Sequence, residues 1–163
     1  MADSLKDLYN TSGSMWNMLS DPFTVKKAAT STANTELGEE SLSGGQTDAL
    51  RHLLGAATLA KRQGPDYASR VLNLHENPNI PFLGGYGQRD VERQMDLHNN
   101  ALGMEISQKA KNYDEALQMA KQYIATKKVK LAPPPEPVKP PTGVAEHDKN
   151  YTFKEWLNKY MSQ

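Results

Sequence analysis

The chain contains no cysteine. Disulfides, thiolate zinc sites and cysteine nucleophiles are therefore excluded, while the compartment is left open. Neither sign of charge is in excess: lysine plus arginine number 19, and so do aspartate plus glutamate. A balanced chain offers no global field for nucleic acid or an anionic membrane. No apolar run approaches the roughly 20 residues that a transmembrane helix needs. The opening Met1-Ala2-Asp3-Ser4-Leu5-Lys6 has no apolar h-region, so no signal peptide is expected. Apolar residues reach only 37%, low for a fully globular chain, so part of it is expected outside the core. A length of 163 residues suits one domain plus tails.

Hydrophobic spacing predicts an all-α fold, a compact bundle of about four helices. The first, 48–63, has Thr47 as its N-cap, Gly64-Pro65 as its stop, and Leu50, Leu53, Leu54, Ala57 and Ala60 at helical spacing. The second, 66–76, starts after Pro65 and carries Tyr67, Val71 and Leu74. The third, 89–110, has Val91, Met95, His98, Leu102 and Ile106 on one stripe. The fourth, 115–127, is capped by Asp114 and turns Ala116, Leu117, Ala120, Tyr123 and Ile124 inward. Residues 77–88, with two prolines and three glycines, read as an apolar loop, with Gly84-Gly85-Tyr86-Gly87 as a packed connection or a flap.

Four regions follow. Residues 1–46 are an N-terminal arm, its 30–47 stretch a loop rich in Ser, Thr, Gly and Asn. Residues 47–130 are the helical domain. Residues 131–149 are a Pro-rich linker, stiff where six prolines fall between 132 and 141. Residues 150–163 are a docking helix that opens on the capping box Thr152-Phe153-Lys154-Glu155. Such a short helix is marginal alone. Trp16 of the arm and Phe153, Trp156 and Tyr160 of the helix are the expected contacts for a protein partner or for self-association.

Most of the polar chemistry falls on three helices. Asp48, Arg51, His52 and Gly55 share one side of the first, at spacings of three and four. Gly55 costs a helix interior roughly 1 kcal/mol relative to Ala, which suggests a close backbone or ligand. His75-Glu76 ends the second. Asp96, Asn99, Asn100 and Gly103 share a side of the third, and His98 lies on its apolar stripe. Imidazoles suit a divalent transition metal, so His52, His75 and His98 are candidate ligands, with Asp96 or Glu76 as an oxygen donor. Without a metal, Glu76, His75 and Asp96 are the candidate catalytic acids and bases, with Arg51, Asn99 and Asn100 holding an anionic or amide substrate. The competing reading is a buried network that only fixes helix packing. No His-Glu-x-x-His or zinc-finger spacing occurs.

Taken together, Asp48-Ala-Leu-Arg51-His52, His75-Glu76 and Asp96-Leu-His98-Asn99-Asn100 with Gly103 resemble the signature of an uncharacterised family of small helical domains found in bacteria and phage. The resemblance covers roughly residues 46–107. It implies a bacterial or phage origin, hence a bacterial cytoplasm or a virion as location, and it supplies no activity. Two functions are expected to compete. One is a hydrolase, metal-dependent or acid/base, acting on a cell-envelope or phosphoester substrate. The other is a non-enzymatic phage virion or assembly component that binds subunits through its terminal segments.

Overall fold

The computed structural model describes residues 4–13, 20–38, 44–79 and 88–132. Six helices occur among them: α1 (Leu5–Asn10), α2 (Asp21–Leu37), α3 (Gln46–Gln63), α4 (Pro65–His75), α5 (Asp90–Lys109) and α6 (Tyr113–Ala125). The described residues contain no strand. The all-α class holds, and the helix count exceeds the expected four by α1 and α2.

The two added helices come from the segment read as an arm. Ser4 caps α1, its hydroxyl accepting from the Asp7 N–H at 3.1 Å. In α2 the stretch read as a loop from residue 30 stays helical to Leu37. Its buried stripe is only Val25, Ala29 and Ala33, so little hydrophobic contrast marks it in the sequence. Thr24, Thr30 and Thr35 turn their hydroxyls back onto the carbonyls four residues earlier, satisfying polar groups that otherwise compete with a helix. Gly38, at φ +82°, ends α2.

α3 is the central element and touches each of the other helices. Leu50, Leu53 and Leu54 are fully buried, each worth about 2–5 kcal/mol against alanine. Gly103 lets α5 lie against α3: a Cβ there would sit 2.7 Å from the Ala56 Cβ and closer still to the Leu53 carbonyl oxygen. At the far end of α3, buried Arg62 donates to both carboxylate oxygens of Asp21, at 3.0 and 3.1 Å, and to the Leu8 carbonyl at 3.0 Å. One guanidinium thus ties α1 and α2 to α3.

After α6 the chain returns across α5. Asn99 pairs with Lys130 through both amide atoms, accepting from its N–H at 3.0 Å and donating to its carbonyl at 2.9 Å. The Ala132 N–H donates to the Gly44 carbonyl at 2.9 Å, which fixes the chain just before α3. Trp16, the 80–87 loop, most of the Pro-rich linker and the docking helix with Phe153, Trp156 and Tyr160 lie outside the described residues.

Candidate functional site

A cleft of about 420 Å³ opens between α2, α3 and α4. Its walls are mostly apolar: Val25 and Ala29 from α2, Ala56 and Leu59 from α3, Val71 and Leu72 from α4. Phe23 and Leu74 also line it, and both are largely exposed. Its polar lining is Lys26, Arg51, His52, His75, Glu76 and Asn100, gathered from α2, α3, the end of α4 and α5. An apolar pocket with a few convergent polar groups is the usual form of a small-molecule site.

Gly55 lies in this lining. A Cβ there would meet only the Ala29 Cβ, at the ordinary distance of 3.6 Å. Packing therefore does not require this glycine, in contrast to Gly103. What its missing side chain provides is space in the cleft.

Glu76 caps α4 and is 2% exposed. Its Oε1 makes no hydrogen bond among the described residues. Burial pushes its carboxyl up to about 7 and Asp96 adds to the rise, while His52, Arg51 and the Asn100 amide oppose it. Arg93 Nε donates to the Glu76 carbonyl at 3.0 Å and so steadies the backbone there. His75 is driven the other way, down to about 4, by burial and then by the charge of Lys26, with Arg51 adding to the fall. Its ring is neutral at pH 7, and its Nε2 lies 3.4 Å from Lys26 Nζ, where the ammonium donates. The pKa of Lys26 is itself lowered, by burial and by Arg51.

Beside the cleft, His52 gathers two carboxylates. Its Nε2 lies 2.9 Å from Asp96 Oδ1 and 3.7 Å from Asp48 Oδ1. Its Nδ1 lies 2.9 Å from Asn100 Oδ1. Arg51 reaches into the same group: Nε donates to Asp48 Oδ1 at 2.9 Å, and a terminal nitrogen contacts both Asp48 Oδ1 and, at 2.7 Å, His52 Nε2. Asp48, His52 and Asp96 are all buried.

The structure divides the expected site residues. Arg51, His52, His75, Glu76, Asp96 and Asn100 surround the polar end of the cleft or the group beside it. Asn99 faces away, held by the Lys130 backbone. His98 sits on the neighbouring stripe of α5, its Nε2 3.0 Å from the Lys128 carbonyl. Of the three histidines considered as common metal ligands, His52 is the one that joins a group of carboxylates at ligand-forming distance among the described residues. Lys26 was not among the expected residues, because nothing in the spacing of α2 distinguishes it from a solvated lysine. Gln88, whose side-chain amide donates to Asp96 Oδ2, comes from the loop before α5 and carried no signal either.

Residues 15–131 match the family model described as "Domain of unknown function (DUF6973)". The chain belongs to this family. No curated protein and no solved structure matches it. The DUF6973 match begins upstream of α2 and ends within the segment that crosses α5, so it takes in more than the three helices that carry the polar set. No described helix of this DUF6973 protein is long and apolar enough to cross a membrane.

Proposed function

We propose that this protein is a small hydrolase of bacterial or phage origin, acting on a cell-envelope or phosphoester substrate that carries both an apolar and an anionic part. The observation behind this reading is the Glu76 carboxyl: buried, lining a cleft, with one oxygen free of hydrogen bonds and its pKa raised to about 7. A carboxyl with that pKa exchanges protons efficiently near neutral pH, which is what a general acid/base needs.

The apolar walls receive the hydrophobic part of the substrate, and the space above Gly55 admits it. Lys26 and Arg51 take the anionic part, with His75 accepting from Lys26 and orienting it. The Glu76 carboxylate removes a proton from water as the water oxygen bonds to the carbonyl carbon or phosphorus. The ester or amide bond breaks, and the leaving alcohol or amine takes the proton back from Glu76. Arg51 and the Asn100 amide stabilise the charge that develops on the substrate oxygens. Asp96, beside His52, takes no direct part in this step.

Glu76→Gln keeps the shape and removes the basicity. The parent protein is expected to turn over one member of a panel of peptidoglycan, phospholipid, phosphodiester and carboxylic-ester substrates. The variant should then be slower by a factor of about a hundred or more, with an unchanged circular dichroism spectrum. An inactive parent across the panel, or an equally fast variant, overturns the reading. That result would favour the assembly role, which rests on Trp16 and the Phe153/Trp156/Tyr160 helix.

A further inference from the structure

The hydrolytic reading leaves Asp48, His52 and Asp96 without a chemical task, yet their orientation is controlled atom by atom. Arginine can only donate, so the Arg51 nitrogen 2.7 Å from His52 Nε2 makes that nitrogen the acceptor. The ring proton is then on Nδ1, donated to Asn100 Oδ1 at 2.9 Å. Asp48 Oδ2 accepts from the Gly44 N–H at 2.8 Å, and Asp96 Oδ2 accepts from Gln88. Each of the three side chains thus has one atom held by a neighbour. Each turns its other atom, His52 Nε2, Asp48 Oδ1 or Asp96 Oδ1, toward the same point.

What those atoms face is electrostatically incomplete. The His52 lone pair and Asp96 Oδ1 are 2.9 Å apart with no proton of the ring between them. Asp96 is 4% exposed, and among the described residues this oxygen makes no hydrogen bond. The Arg51 guanidinium serves Asp48 Oδ1 and His52 Nε2 but is not hydrogen-bonded to Asp96 Oδ1. A single cation meeting all three atoms would resolve this.

We propose that His52 Nε2, Asp48 Oδ1 and Asp96 Oδ1 bind one divalent first-row transition-metal ion, zinc or manganese. The three donor atoms lie within 4.8 Å of one another. Ligand bonds of roughly 2.0–2.2 Å place adjacent donors about 2.8–3.6 Å apart, close to the 2.9 and 3.7 Å found around His52 Nε2. One imidazole with two carboxylates suits zinc or manganese better than calcium or magnesium, which prefer oxygen alone. Two carboxylates balance the charge of the ion. Arg51, whose side chain is 22% exposed, moves from the donor atoms toward the cleft it already lines. The Asn100, Gly44 and Gln88 contacts are the outer hydrogen bonds that fix ligand orientation and tautomer. Three protein ligands leave coordination positions open.

This site shares Arg51 and Asn100 with the hydrolytic reading but does not depend on it, and the experiment measures binding rather than turnover. The full chain is stripped with a chelator, then titrated with Zn²⁺ and with Mn²⁺ by calorimetry, with manganese also followed by electron paramagnetic resonance. One ion per chain is expected to bind saturably and to raise the melting temperature. Asp96→Asn should weaken binding more than about tenfold, and Asn100→Ala by roughly ten- to a hundredfold. Arg51→Gln separates the ion site from a metal-free salt network. It removes the competing guanidinium, so binding should tighten or hold. No saturable binding to either the parent or Arg51→Gln overturns the proposal. So does binding that Asp96→Asn and Asn100→Ala leave unchanged, which would place the ion elsewhere. Should Asp96→Asn fail to fold, Arg51→Gln and Asn100→Ala decide. Hydrolysis without ion binding would refute this site alone, and ion binding without hydrolysis would refute only the enzymatic reading.

Discussion

At the scale of single residues, Glu76 is held at a cost that pH makes visible. Its folded pKa, about 7, lies above its ordinary value of 4.5. Between those values the folded chain binds more protons than the unfolded one, so this group makes stability fall as pH rises. The penalty is fully present above pH 7 and amounts to about 3 kcal/mol, an order of magnitude for a buried carboxyl. His75 works with the opposite sign. Its pKa falls from 6.5 to about 4, so it costs stability as pH drops through that window. The two slopes overlap, and a melt of the parent alone shows only their sum. Glu76→Gln separates them. Relative to the parent, this variant should gain stability steadily between pH 4.5 and 7 and keep that gain above it, as read by denaturant melts at several pH values. A difference that is flat with pH would mean that Glu76 ionises normally, whatever its burial. Stability given up at one buried carboxyl is what a working acid/base residue is expected to show.

At the scale of elements, two helical glycines separate packing from function. Gly103→Ala pushes a methyl group into the Leu53 carbonyl and must move α5 away from α3. It should destabilise by about 1–3 kcal/mol, as overpacking does. Gly55→Ala meets only Ala29 at ordinary distance. Helix propensity then favours it by about 0.5–1 kcal/mol, while the cleft narrows and, on the proposed hydrolytic reading, substrate affinity falls. Urea melts of the two variants should shift in opposite directions. A destabilised Gly55→Ala would show that this glycine serves packing after all. The same contrast explains what the sequence revealed. The cores of α3, α5 and α6 were readable because large aliphatic residues recur every three or four positions. α2 was not legible at all, because its inward face is little more than Val25 and alanine, and from residue 30 its outward face is threonine and serine. The N-caps also moved: Gly45 begins α3 and Asn112 begins α6, where Thr47 and Asp114 had been expected. Thr47 instead donates its hydroxyl to the Gly38 carbonyl, a loop contact that no local pattern announces.

At the scale of the molecule, the site is assembled by α2, α3, α4, α5 and the segment that crosses α5. Spacing within one helix placed Asp48, Arg51 and His52 on a common side, and it placed Asp96 with Asn100. It could not say that Asn99, on the same side, is used to hold the Lys130 backbone, or that the His98 ring meets the Lys128 carbonyl. Lys26 reaches the cleft only because α2 lies along α3. The Asn99–Lys130 pair and the Ala132–Gly44 bond also bear on the site, because Gly44 holds Asp48. The family match over residues 15–131 takes in α2 and Lys130, and it stops one residue short of Ala132. The parts that make a polar end for the cleft are thus nearly coextensive with the DUF6973 domain, and at their centre stands a carboxyl poised to ionise near neutrality. The most direct measurement is a carbon-13 NMR titration of the Glu76 side-chain carboxyl in the folded protein, assigned by comparison with Glu76→Gln. A midpoint near pH 7 is the predicted result, and a midpoint near 4.5 would contradict it.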